Sequence, residues 1–214
     1  MRQLLWGWKW LKLGVFVACL MPLAMLAWNA ATKNLGANPI DEITDQTGLW
    51  TLRFLLITLA VTPARRFSGW NRLIQVRRML GLFAFFYGGL HVVTYVWLDQ
   101  FFSVEDILAD VVERPFITVG FTSFVLLIPL AVTSTTSMIK RLGGKWWQRL
   151  HRLVYVIAIG GVVHFLWVVK FDTRLPLIYG SVLAVLLAYR LWFWSEPRLK
   201  LGLALFRKAA AVSK

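Results

Sequence analysis

VRRMLGLFAFFYGGLHVVTYVWL, residues 76–98, decides the fold. After Arg77 and Arg78 come twenty residues, Met79 to Leu98, without a single Asp, Glu, Lys or Arg. That is about the ~20 residues a helix needs to cross the hydrocarbon core of a bilayer. A second stretch, WQRLHRLVYVIAIGGVVHFLWVV at residues 147–169, repeats the plan: basic residues, then an apolar run carrying one histidine.

Working outward, the pattern recurs along the chain. Six spans are predicted, at residues 12–31, 50–64, 79–98, 116–133, 153–169 and 175–193. The fold class is an all-α membrane protein, a six-helix bundle with residues 1–214 as one domain. The second span is short and carries Arg53 near one end, where the side chain is expected to snorkel to the interface. The first, preceded by Arg2, Lys9 and Lys12 and interrupted by Pro22, reads as a retained signal anchor.

The loops between spans alternate in charge. Arg65, Arg66, Arg72, Arg77 and Arg78 crowd the second loop, and Lys140, Arg141, Lys145, Arg149 and Arg152 the fourth. Arg198, Lys200, Arg207, Lys208 and Lys214 follow the last span. Asp41, Glu42 and Asp45 mark the first loop; Asp99, Glu105, Asp106, Asp110 and Glu113 mark the third. The positive-inside rule then places both termini and the even loops in the cytoplasm. The net charge of +14 is therefore a record of topology and not of nucleic-acid binding. Tryptophans near span ends (Trp6, Trp8, Trp10, Trp50, Trp97, Trp146, Trp147, Trp192, Trp194) read as an interfacial belt.

One cysteine, Cys19, excludes a disulfide framework and a four-thiolate iron–sulfur cluster. Constellations for hydrolysis and glycine-rich phosphate loops are missing. What remains is three histidines: His91, His151 and His164. An intramembrane histidine is expensive unless partnered, so it marks a candidate site. The third and fifth spans run in the same direction. His91 lies 13 residues beyond Arg78, and His164 lies 12 beyond Arg152. At 1.5 Å per residue both reach about 18–20 Å from the basic edge. Two imidazoles at one depth can ligate one haem iron from opposite faces. Gly81, Gly88, Gly160 and Gly161 are expected to leave room for the macrocycle, with close helix packing as the alternative. His151, at the basic edge, is a weaker candidate ligand for a second haem. A continuous ideal helix would turn it roughly 140° from His164, unless the helix bends at Gly160–Gly161. Arg77, Arg78, Arg149 and Arg152 are candidate partners for haem propionates or another anionic cofactor, and Arg114 for a propionate on the acidic side. No catalytic residue and no metal other than haem iron is expected. A small transporter or assembly factor, using the histidines as proton or metal sites, is the alternative, and a quinol-linked cytochrome b with another soluble partner is a third reading.

Six segments together resemble a known family: LGANPIDEITDQTGLW (35–50), LITLAVTPARR (56–66), VRRMLGL (76–82) followed by His91, ERPFITVG (113–120), LAVTSTTSM (130–138) and WQRLHRLVYV (147–156) followed by His164. They resemble the MsrQ (YedZ) family of the ferric-reductase-like transmembrane group, which includes NADPH oxidases and STEAP-type reductases. The resemblance covers nearly the whole chain. It implies haem b between the third and fifth helices, in a bacterial inner-membrane subunit that passes electrons to MsrP, a periplasmic molybdopterin enzyme that reduces methionine sulfoxide in envelope proteins. It also implies FMN, and electrons from the quinone pool or a cytosolic flavin reductase. His91, His151 and His164 fall on the family's histidines. The NADPH oxidase pattern has another histidine 14 residues before His91, where this chain has Arg77.

Overall fold

The computed structural model describes residues 2–169 and 171–212, with side chains described for residues 9–169 and 171–195. Arg2, Trp6, Trp8 and the tail cations Arg198, Lys200, Arg207, Lys208 and Lys214 therefore lie outside the described side chains. The helices are α1 (Arg2–Ala31), α2 (Pro39–Ser68), α3 (Ile74–Thr94), α4 (Val104–Glu113), α5 (Pro115–Val132), α6 (Thr136–Leu142), α7 (Gly144–Leu150), α8 (Leu153–Val168) and α9 (Arg174–Val212). Six helical segments are long and apolar enough to cross a membrane, and among the described residues there are no strands.

The centre is a ring of four helices. α3 packs along α2 and touches α5; α8 packs along α5 and touches α2. α3 and α8 thus face each other across the ring. α9 closes against α8 and α2, and α1 leans on α3 and α2 from outside. Leu52, Leu56 and Leu59 of α2 meet Ala158 of α8 and Leu183 of α9, while Phe54 and Leu55 meet Phe83, Ala84 and Tyr87 of α3. The charges sort by end. The N-terminus of α2, the C-terminus of α3, and α4 carry the acids; the opposite end carries the loop arginines and lysines.

α2 departs from its sequence reading. It begins at Pro39, at the N-terminus where a fixed φ suits a helix, with Asp41 and Glu42 in its first turn, and ends at Gly69 with φ 68°. It is 30 residues long, so the polar stretch read as a loop, from residue 39 to 49, is its first three turns. Arg53 consequently sits mid-helix and does not snorkel. Its Nε donates to the Tyr179 hydroxyl at 2.8 Å and its guanidinium lies 4.6 Å from the centre of the Trp50 ring. Trp50 is likewise no belt residue: it packs on Phe54 and Tyr87.

α1 carries Pro22, and the interruption has a defined partner. The Leu23 N–H donates to the Tyr87 hydroxyl at 3.1 Å, and that hydroxyl donates to the Cys19 carbonyl at 2.9 Å. Leu23 and Cys19 are four apart, so Tyr87 is inserted into the i→i−4 ladder beside the proline. Lipid supplies no replacement for a lost backbone bond. Tyr87→Phe should therefore cost about 1–3 kcal/mol, because it removes both partners of a buried chain. Unfolding of the solubilised chain by denaturing detergent should begin at lower detergent fractions; an unchanged midpoint would remove the role given to this hydroxyl.

Candidate functional site

His91 sits on the last turns of α3. Its Nδ1 lies 2.9 Å from the Thr44 carbonyl, in the first turns of α2. A carbonyl only accepts, so Nδ1 carries the proton and Nε2 holds the lone pair. One helical turn beyond Thr44 comes Gly48. A Cβ there would stand 3.0 Å from His91 Cε1 and Nδ1. The glycine lets the imidazole lie directly against the α2 backbone.

His164 repeats the arrangement on the other side. Its Nδ1 lies 2.7 Å from the Phe116 carbonyl in the first turn of α5. One turn on is Gly120, where a Cβ would stand 2.7 Å from His164 Nδ1 and 2.8 Å from Cε1. Each histidine thus donates to a carbonyl at position i of a neighbouring helix and rests over a glycine at i+4. Thr44, Gly48, Phe116 and Gly120 lie on the neighbouring helices α2 and α5, at separations that nothing in the sequence ties to the histidines. The glycines that were singled out serve packing. A Cβ at Gly88 would be 3.4 Å from Phe124 and Thr51, one at Gly81 3.8 Å from Thr58, and one at Gly161 3.6 Å from Leu52; Gly160 lies against Ser123.

The two rings meet across the four-helix ring. Their centroids are 6.0 Å apart and their planes are inclined by 79°. With Nδ1 of each ring bound to a carbonyl, the two Nε2 atoms would be free to hold one haem iron between α3 and α8, and the iron would supply one-electron chemistry. A histidine whose other N–H is tied to a carbonyl is the usual state of a metal ligand. Among the described residues no cluster of three or more His, Cys, Asp or Glu offers a site for another metal.

His151 stands apart. α7 ends at Leu150 and α8 starts at Leu153, so His151 lies in the turn between them. Rotation counted along one continuous helix from His164 does not apply; the break falls here and not at Gly160–Gly161. Its Nδ1 donates to the Trp147 carbonyl at 3.0 Å, its ring stacks on Trp147 at 3.9 Å, and its Nε2 is buried with no hydrogen-bond partner. Trp147 is itself anchored, its indole N–H donating to the Thr133 carbonyl at 2.9 Å, and so is not a belt residue. Trp10, Trp97, Trp146, Trp192 and Trp194 are exposed, as a belt requires.

The arginines divide. Arg77 turns into the bundle, with Nη1 3.5 Å from the Thr62 hydroxyl. Arg78 is exposed and reaches Thr136 at 3.3 Å. Arg149 lies over Trp146 and Arg152 over Trp194. Arg114 already pairs with Asp110, at 3.1 Å.

Comparison with known proteins gives the family. Residues 47–162 match the model of the ferric reductase like transmembrane component. The chain is 58% identical over 189 residues to a protein of Herminiimonas arsenicoxydans named protein-methionine-sulfoxide reductase heme-binding subunit MsrQ, covering 87% of each chain. Proteins of the same name from Azospira oryzae and Rhodospirillum rubrum are 53% and 52% identical, with 84% of this chain covered in both cases and 78% and 86% of theirs. By the family model and by these relatives, the chain belongs to the MsrQ family of ferric-reductase-like transmembrane proteins.

Proposed function

We propose that the chain is a haem b electron-transfer subunit of a protein-methionine-sulfoxide reductase system. The observation that carries the reading is the pair of imidazoles 6.0 Å apart, each with Nδ1 bound to a carbonyl of a neighbouring helix. The printed names of the relatives support it, since they are heme-binding subunits. Haem, when bound, supplies one-electron chemistry. The chain's own residues do the rest. Thr44 and Phe116 hold the tautomer in which Nε2 is free to ligate. Gly48 and Gly120 set the ring positions. The apolar helices around them exclude water, so that the site exchanges electrons without offering protons.

Orientation follows from charge. The end bearing Arg65, Arg66, Arg72, Lys140, Arg141 and Lys145 faces the cytoplasm of a bacterial inner membrane, and the end bearing the histidine pair faces the periplasm. Electrons then leave toward a periplasmic acceptor, MsrP, and arrive from the quinone pool or a cytosolic flavin reductase. FMN rests on the family resemblance alone. His151, whose buried Nε2 makes no hydrogen bond at normal distance and lies near the Leu130 backbone, is the candidate ligand for a second haem at the cytoplasmic end.

Docking of the acceptor is assigned to α4. Asp110 is committed there: it pairs with Arg114 and accepts from Tyr95 and Gln100, both at 3.0 Å. Glu105, Asp106 and Glu113 are exposed and remain for a partner.

The decisive measurement is a reduced-minus-oxidised spectrum with a haem-to-protein ratio; a colourless preparation from haem-replete cells sinks the reading. His91→Ala and His164→Ala should each abolish the periplasmic-side haem, and His151→Ala should spare it. Gly120→Ala should lower haem retention more than Gly48→Ala, because the added Cβ meets the His164 ring at 2.7 Å against 3.0 Å for His91. Equal retention in the two glycine variants would mean that the ring positions are not set there. Reversing Glu105, Asp106 and Glu113 to Lys should slow electron transfer to MsrP by about tenfold at low salt, and less at high salt. A rate indifferent to these charges would move the docking surface elsewhere.

A further inference from the structure

Arg190 of α9 lies three residues before the end of the sixth predicted span, on the basic side. It enters the bundle and donates from Nη1 to the Tyr155 hydroxyl at 2.6 Å and from Nη2 to the Leu59 carbonyl at 2.9 Å. Leu59 lies nine residues before the end of α2, so this contact is about 13 Å inside that helix. The Arg190 Nε is buried and has no hydrogen-bond partner. Arg77 of α3 lies close by. Its ionisable neighbours are Arg190, Tyr155 and Arg65, and its bond to Thr62, at 3.5 Å, is at the limit of a hydrogen bond. Among the described residues no carboxylate pairs with Arg77 or Arg190. His151, beside Arg77, adds a buried Nε2 without a partner.

Two partly buried guanidiniums from different helices therefore lie close together at the basic end, with no carboxylate paired to either among the described residues. A single buried cation without a partner is strongly unfavourable, and two that repel each other are worse. Tyr155 and Leu59 relieve the hydrogen-bond deficit of Arg190 and leave its charge. Guanidinium is the group that binds carboxylate and phosphate through two parallel bonds. We propose that Arg77 and Arg190 form an internal anion site at the cytoplasmic end of the bundle, for the carboxylate or phosphate of a bound small molecule. The candidate sources are a porphyrin propionate, a flavin phosphate and a lipid phosphate. The site is separate from the His91–His164 pair, so either reading can fail without the other.

The test compares acids with their neutral counterparts on the purified full chain in neutral detergent: haem against haem dimethyl ester, FMN against riboflavin, and phosphatidate against diacylglycerol. In at least one pair the acid should bind about tenfold tighter or more, read by absorbance, flavin fluorescence or retained lipid. The pair that discriminates identifies the source. Arg77→Gln and Arg190→Gln should each reduce that preference to about twofold or less. Both should keep the haem spectrum that depends on His91 and His164. If a glutamine variant fails to accumulate, Arg77→Lys or Arg190→Lys should fold and give an intermediate preference, since charge is kept and the fork is lost. No preference in any of the three pairs, or a preference unchanged in the variants, overturns the proposal.

Discussion

Each of two imidazoles is held by a backbone carbonyl one turn before a glycine, and the rest of the bundle is arranged around that contact. The carbonyl fixes which nitrogen is protonated. The glycine fixes how near the ring may come. Because Thr44 and Gly48 are on α2 while His91 is on α3, these two helices must run in close contact along their acidic ends. Phe116, Gly120 and His164 impose the same on α5 and α8. The remaining contacts, α3 with α5 and α2 with α8, close the ring and bring the rings face to edge across it. A carbonyl inside its own helix still has a second lone pair, so the histidine bond breaks no ladder.

Lipid makes this economy necessary. Polar groups in the span region cannot turn to water, and the structure answers with local bonds. Thr47, Thr51, Thr94, Ser123 and Thr133 each donate to the carbonyl four residues earlier. Tyr87 repairs the ladder of α1 next to Pro22. Arg53 is held by Tyr179 and Trp50. Among the described residues four buried side-chain atoms are left without a hydrogen bond, Thr58 Oγ1, Tyr189 OH, His151 Nε2 and Arg190 Nε, and the two nitrogens are both at the basic end.

Much of the architecture was legible in the sequence, and the reasons are physical. Hydrocarbon thickness sets span length, so six spans emerge from apolar runs alone. Depth is linear along a helix, so counting from Arg78 and Arg152 put His91 and His164 at one level, and the rings do lie 6.0 Å apart. Neighbour relations between helices are not linear in sequence. Gly48 is 43 residues from His91 and Gly120 is 44 from His164, and nothing in a single chain's spacing pairs them. The polar start of α2 hid its length, because Asp41, Glu42 and Asp45 depress hydropathy while serving as a favourable first turn. The same miscount placed Arg53 at an edge. For His151 the failure was the assumption of one unbroken helix: the turn at His151–Arg152 separates it from the frame of His164.

The two ends of the bundle end up chemically unlike. At the acidic end the Nδ1 of each histidine has an acceptor supplied by the chain, and the two rings lie 6.0 Å apart. The acids nearby, Asp110 above all, are tied into their own network with Arg114, Tyr95 and Gln100, and so leave that pair undisturbed. At the basic end the balance is reversed. Arg77 and Arg190 bring donors and positive charge in excess, and no described carboxylate answers them. Two inward arginines with no paired carboxylate among the described residues keep an attraction for anions inside the bundle. That attraction is what distinguishes this end from a merely positive surface fixed by topology, where Arg78, Arg149 and Arg152 face outward.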